Sequence, residues 1–190
     1  MDRLSGLDAS FLYLETPEQL MHVCGLMLLD PTTVPGGYEF EKLRDHLGER
    51  AVEIPTFMRK LRPVPLGLDF PVWEQDEHFD VQRHVHRMAV PAPGGERELA
   101  DMVGHLAGIP LDRSRPLWEM WVVEGLASGQ IAVISKMHHA TVDGVSGANL
   151  MSMLCSLEPG APLLDVVDAG KPPGRSPGDA ELLARGVASA

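Results

Sequence analysis

The chain has 190 residues, 44% of them hydrophobic and 23% charged, with a formal net charge of −11. Those proportions fit one ordinary globular domain that can bury a core without disulfide or metal staples. The acidic balance argues against nucleic acid as the main partner and against a polybasic membrane anchor, because both need a positive surface.

The opening "MDRLSGLDASFLYLE" carries acids early and lacks a continuous apolar core, so no signal peptide is read there, and no apolar stretch approaches membrane-spanning length. A cytoplasmic protein is the expectation. Along the chain, "MHVCGLMLLD" (21–30) reads as a mostly buried strand. In 38–50, Phe40, Leu43 and Leu47 recur at helical spacing, which predicts an amphipathic helix with a charged outer face. Pro63, Pro65 and Pro71 break "FMRKLRPVPLGLDFPVWEQD" into short extended pieces, and its cations Arg59, Lys60 and Arg62 read as a solvated strand edge. "FDVQRHVHRMAVP" alternates like a strand. In 96–108, Leu99, Met102, Val103, Leu106 and Ala107 share one helical face.

"LWEMWVVEGL" and "IAVISKMH" predict two strands of a hairpin around "ASGQ". "VSGANLMSMLCSLE" reads as a buried helix. From residue 159 the Pro/Gly content rises as in a linker, and "AELLARGVASA" reads as the start of a connecting helix. The expected organisation is a domain over 1–158 and a linker with helix over 159–190, within a longer protein. Cys24 and Cys155 lie far apart, form no CxxC pair, and are expected to be two reduced core thiols.

The hairpin delivers "HHATVDG" (138–144) to its end, where a catalytic site, a metal site and a polar turn all deserve weighing. Adjacent strand residues face opposite ways, so an extended His138-His139 pair cannot easily share an ion. His84-x-His86 suits one strand face but has no carboxylate or cysteine pattern to complete it, and no metal site is expected. His22, His46, His78 and His105 are taken as hydrogen-bonded packing residues. By strand alternation, Lys136 and His138 share one face, while Val133, Ser135, Met137 and His139 share the other. The second, more apolar face favours His139 as a general base, with His138 as its structural partner. Asp143 is close enough to order the local chain, and Gly144 permits a tight turn or a close ligand approach.

"HHATVDG" resembles the HHxxxDG motif of a superfamily that includes chloramphenicol acetyltransferase, plant acyltransferases and peptide-synthetase condensation domains. Together with "LDASFLYLET", "MHV", "PGGEREL", "LDRSRPLWEMWVVEGL" and "KMHHATVDGVSG", the chain from near residue 4 to about 157 resembles the bacterial wax ester synthase/diacylglycerol acyltransferase family. The resemblance implies an α+β fold, a mixed sheet covered by helices, as one half of a chloramphenicol-acetyltransferase-like two-domain architecture. The C-terminal half would be absent from this chain, and the isolated residues would be inactive or nearly so. It further implies acyl-CoA as co-substrate, no other cofactor, and a long-chain alcohol or diacylglycerol as acceptor. His139 would be the general base, no covalent acyl-enzyme would form, and Asp143 would shape the loop through an arginine, for which Arg59 and Arg62 are weak candidates. Pro116, Leu117 and Trp118 match the family's PLW motif, implied to shape the substrate channel, with packing an equal claim on Trp118. Greasy substrates imply peripheral attachment to the inner membrane or lipid inclusions. The competing readings are a condensation-type enzyme with a carrier-protein donor and a non-catalytic lipid- or partner-binding module.

Overall fold

The computed structural model describes residues 2–141 and 178–189. The predicted helix "VSGANLMSMLCSLE", Cys155, Asp143, Gly144 and most of the linker lie outside the described residues. A short first strand, β1 (Asp2–Arg3), leads into helix α1 (Gly6–Leu14). Ser5 caps α1: its hydroxyl accepts from the Asp8 amide at 3.1 Å and donates to the Asp8 carboxylate at 2.6 Å. Strand β2 (His22–Leu29) follows, then α2 (Phe40–Glu53), β3 (Arg59–Arg62), β4 (Val72–Gln75), β5 (Val85–Ala89) and α3 (Glu96–Ala107). The hairpin β6 (Trp118–Glu124) and β7 (Ile131–His138) comes next, and α4 (Asp179–Ser189) is the last described element.

Two sheets result. A four-stranded sheet has the order β2-β7-β6-β5, antiparallel except for the parallel β5–β6 pair, and a smaller antiparallel sheet has the order β1-β4-β3. The larger sheet is mixed and covered on both faces. Trp118, Met120, Val122, Val133 and Met137 pack with Phe40, Leu47 and Ala51 of α2, whereas Trp121, Val123, Ala132 and Ile134 pack with Leu99 and Leu106 of α3. Period-2 alternation along β6 and β7 therefore sorts side chains between two helices. β6 and β7 are buried almost throughout because they are central.

β2 departs from expectation. Among the described residues it is an edge strand rather than a mostly buried one, with Leu26 and Leu28 exposed and β7 as its one neighbour. Cys24, expected in the core, is exposed on the same strand. A near-continuous apolar run carries no sign of whether one or two strands will flank it. Gly25 leaves room for the paired strand, since a Cβ there would lie 2.7 Å from the Ser135 hydroxyl, which would have to turn away.

The basic stretch is not a solvated edge either. Arg59 is buried and pairs with Asp2 at 3.0 Å, Lys60 with Asp76 at 3.1 Å, and Arg62 with Glu74 at 3.1 Å and with Asp179 of α4 at 2.5 Å. Acids distant in sequence neutralise the run, which composition alone could not reveal. Leu182 of α4 packs with Val72 of β4 and with Val64, just after β3, so the last described helix lies against the smaller sheet. Among the described residues no helix is long and apolar enough to cross a membrane.

Candidate active site around the histidine pair

β7 ends at His138, and His139 opens a single 3-10 turn, His139–Thr141. The alternation expected to carry through residue 139 thus stops one residue early. The two rings still part company: His138 is fully buried while His139 is exposed, because the chain leaves the sheet between them. Three bonds secure that exit. The His138 amide donates to the Leu117 carbonyl at 3.0 Å, the His139 amide to the Met21 carbonyl at 2.8 Å, and the Thr141 hydroxyl to the His138 carbonyl at 2.6 Å.

The His138 ring is committed as well. Its Nδ1 accepts from the Ala140 amide at 3.0 Å, so that lone pair is occupied and the proton of the neutral ring sits on Nε2. Burial pushes the His138 pKa down to about 4, against the opposing charge of Glu15. His138 is therefore a neutral, buried ring with no lone pair to offer. The exposed His139 instead stacks on Phe11 of α1, with centroids 4.9 Å apart and planes inclined by 20°.

Helix α1 supplies a second residue from its C-terminal end. Glu15 lies between the rings of His22 and His138, with carboxylate oxygens 3.2 Å from His22 Nε2 and 3.5 Å from His138 Nε2. Neither approach has hydrogen-bond alignment, so the ionised carboxylate acts on these ring nitrogens through its charge rather than as a bonded partner. Arg113 anchors Glu15 at 2.5 Å and also donates to the Leu12 carbonyl at 3.0 Å, while the Met21 amide donates to Glu15 at 3.3 Å. Burial works against the ionised Glu15 carboxyl, but the bonds from Arg113 and Met21 outweigh it and hold its pKa below the ordinary value. Burial likewise lowers the pKa of His22, opposed by Glu15. The His22 and His138 rings meet edge to face at 5.9 Å.

Glu15, Phe11, His22 and Arg113 were not singled out from the sequence as site residues, and His22 was set aside as packing. The available signal was the "SFLYLE" run, whose helical spacing brings Phe11 and Glu15 to the same end of α1.

Pro116, Leu117 and Trp118 are all buried. Leu117 packs with Leu4, Ala9 and Leu12, whereas Trp118 stacks on Phe57 at 4.7 Å and on His84 at 4.5 Å, and its Nε1 donates to the Phe57 carbonyl at 2.9 Å. His84 precedes β5 rather than sharing a strand face with His86, and its Nδ1 lies 2.8 Å from the Trp118 carbonyl. Among the described residues no group of three His, Cys, Asp or Glu side chains could hold a metal ion. Arg59 and Arg62 are engaged by Asp2, Glu74 and Asp179, and Asp143, for which they were candidate partners, lies outside the described residues.

The wax ester synthase/diacylglycerol acyltransferase catalytic domain model matches residues 4–189. A putative diacylglycerol O-acyltransferase of Mycobacterium tuberculosis is 55% identical over 163 residues, which is 85% of this chain and 32% of that protein. A probable diacylglycerol O-acyltransferase of the same organism is 38% identical over 185 residues, covering 97% of this chain and 67% of that protein. This chain thus spans about a third of the length of the first of these relatives. The wax ester synthase/diacylglycerol acyltransferase of Marinobacter aquaeolei superposes with a TM-score of 0.62 at 35% identity, over 79% of this chain and 37% of that one. The starter condensation domain of rhizomide synthetase shares the fold at 12% identity, with a TM-score of 0.59 over 80% of this chain and 37% of that one. The α+β architecture is thus shared with the Marinobacter enzyme and with a condensation domain, and the chain belongs to the wax ester synthase/diacylglycerol acyltransferase family.

Proposed function

We propose that the chain carries the catalytic histidine segment of an acyl-CoA-dependent O-acyltransferase that makes wax esters or triacylglycerol, with His139 as general base. The observation that carries this reading is the contrast between the rings: His138 has its Nδ1 lone pair occupied, while His139 stands exposed on Phe11. In the proposed reaction, His139 takes the proton of a long-chain alcohol or diacylglycerol hydroxyl as its oxygen attacks the thioester carbonyl. The tetrahedral intermediate collapses, the carbon–sulfur bond breaks, and the imidazolium returns the proton to the departing CoA sulfur. A thiolate leaves readily, so no acyl-enzyme and no cofactor beyond acyl-CoA are required. Positioned general-base catalysis contributes about 10²–10⁴-fold, and orientation and water exclusion supply the rest.

An exposed base favours hydrolysis unless something covers it. We infer that a second wall, the remaining half of the enzyme in the longer relatives, closes over His139, and that these 190 residues alone synthesise little ester. Asp143 would have a structural role rather than relay protons, with Gly144 beside it in the motif. Pro116, Leu117 and Trp118 would influence the channel by fixing where β6 begins. The substrates favour peripheral contact with the inner membrane or lipid inclusions. The test replaces the histidine matching His139 by Ala in a full-length relative, and supplies acyl-CoA or an acyl carrier protein as donor with fatty alcohol or diacylglycerol as acceptor. A fall of about 10²–10⁴-fold with acyl-CoA is expected. Unchanged synthesis would end the general-base reading, and transfer only from the carrier protein would replace the donor.

A further inference from the structure

We propose that Glu15 is a positioning residue for the histidine pair: anchored by Arg113, its carboxylate holds the His138 ring in the tautomer that lets Nδ1 receive the Ala140 amide. That amide bond opens the turn from which His139 projects. The catalytic consequence rests on the reading of His139 as base; the tautomer itself does not.

The geometry runs in one direction. The Ala140 amide can only donate, so His138 Nδ1 must be unprotonated. The ring proton then lies on Nε2, the atom 3.5 Å from the Glu15 carboxylate. A negative charge 3.5 Å from Nε2 favours a proton on that atom over the alternative, which would leave a lone pair near the carboxylate and turn a proton toward the Ala140 amide. His138 is completely buried, so no solvent offsets the wrong choice. The other charged and titratable groups near the ring are His22, edge-on at 5.9 Å, and Arg113. Arg113 fixes the carboxylate at 2.5 Å and ties it to the end of α1 through the Leu12 carbonyl. The same helix presents Phe11 to His139. One helix end thus sets both rings: Glu15 from below and Phe11 from the exposed side.

The experiment compares Glu15→Gln and Glu15→Leu with the parent chain. Glu15→Gln keeps the shape and an acceptor for the Met21 amide while removing the charge. Long-range proton–nitrogen spectra of histidine-labelled chain read the tautomer, with His138 assigned by its own substitution. The parent should show His138 as a single Nε2–H form, and both variants should show the Nδ1–H form as well. In a full-length relative, substitution of the matching glutamate by Gln should lower kcat about 10- to 100-fold with KM little changed, because a displaced base loses rate more than binding. A single Nε2–H tautomer in Glu15→Gln would overturn the proposal. If Glu15→Leu fails to fold, Glu15→Gln still decides it. If the His139 substitution leaves synthesis intact while the tautomer shifts as expected, the general-base reading fails and the Glu15 assignment stands.

Discussion

The ring of Phe11 lies almost flat against that of His139, their centroids 4.9 Å apart. His139 lies one residue beyond the end of strand β7, outside its alternation. The side chain is aimed instead by a turn on one side and an aromatic ring from a distant helix on the other. Removing that ring in Phe11→Ala should cost the stacking energy, about 0.5–1.5 kcal/mol. In a full-length relative, ester synthesis should then fall by at most about 10-fold, while Phe11→Tyr should retain most of the rate. Kinetics at saturating acyl-CoA distinguish the two, and equal loss in both variants would mean that the ring serves packing alone.

Trp118 makes a second case in which the residue and its surroundings must be read together. It is 1% exposed, stacked between Phe57 and His84, and bonded to the Phe57 carbonyl. Trp118→Phe keeps a ring in the stack but strands a buried carbonyl, which should cost about 1–3 kcal/mol in urea unfolding. Trp118→Ala should cost about 3–5 kcal/mol. If the residue affects the channel only through the start of β6, acyl-length preference in a full-length relative carrying the Phe variant should stay put. A changed preference at unchanged stability would make Trp118 a channel wall.

Much of this architecture was legible from local pattern. Leu99, Met102, Val103 and Leu106 announced α3. The histidine pair stood out because few residue types suit the exit of a central strand. Failures came where the answer lay in partners far along the chain. Arg59 met Asp2 and Arg62 met Asp179, and no window of sequence contains both members of either pair. β2 read as buried because its apolar content is high, but apolar content does not say which strand will be last in the sheet. Glu15 was missed for the same reason: alone it is one acid at the end of a helix, and only the fold brings His22, His138 and Arg113 to it.

Lys136 illustrates a buried charge that holds layers together. Its ammonium donates to the Leu106 and Ile109 carbonyls at 3.0 and 2.7 Å, lies 3.7 Å from Glu119, and sits 4.7 Å over the Trp121 ring. It thereby pins the C-terminal end of α3 to the sheet, where free helix carbonyls favour a cation. Burial lowers the Lys136 pKa and raises that of Glu119, each opposed by the charge of the other. Lys136→Met should destabilise the chain by roughly 3–5 kcal/mol, since it leaves Glu119 buried with Arg115 at 3.6 Å as its remaining cation. Adding Glu119→Gln to that variant should recover more than about 1 kcal/mol, a coupling that denaturant unfolding of the four combinations would measure. Strict additivity would show that the pair contributes no joint stabilisation.

Acid should weaken the fold well before the carboxylates titrate. Burial holds His22, His84, His86 and His138 below their ordinary pKa of 6.5, with His138 down at about 4. The unfolded chain therefore binds protons at these sites in a range where the native chain does not, so stability must rise with pH there. The loss begins as pH falls below about 6.5 and continues toward 4. For His138 alone it approaches roughly 3 kcal/mol, at about 1.4 kcal/mol for each pH unit of the depression. The lowered pKa of Glu15 adds a loss in the same direction below its ordinary 4.5, whereas Glu119, raised by burial, works in the opposite sense above that value. Four histidines against one carboxyl should leave net proton uptake on unfolding at pH 5.5. Urea midpoints at pH 7 and 5.5, paired with calorimetry in buffers of different ionisation enthalpy, measure both quantities. A midpoint that rises on acidification, or net proton release at pH 5.5, would show that these rings are already charged in the native chain.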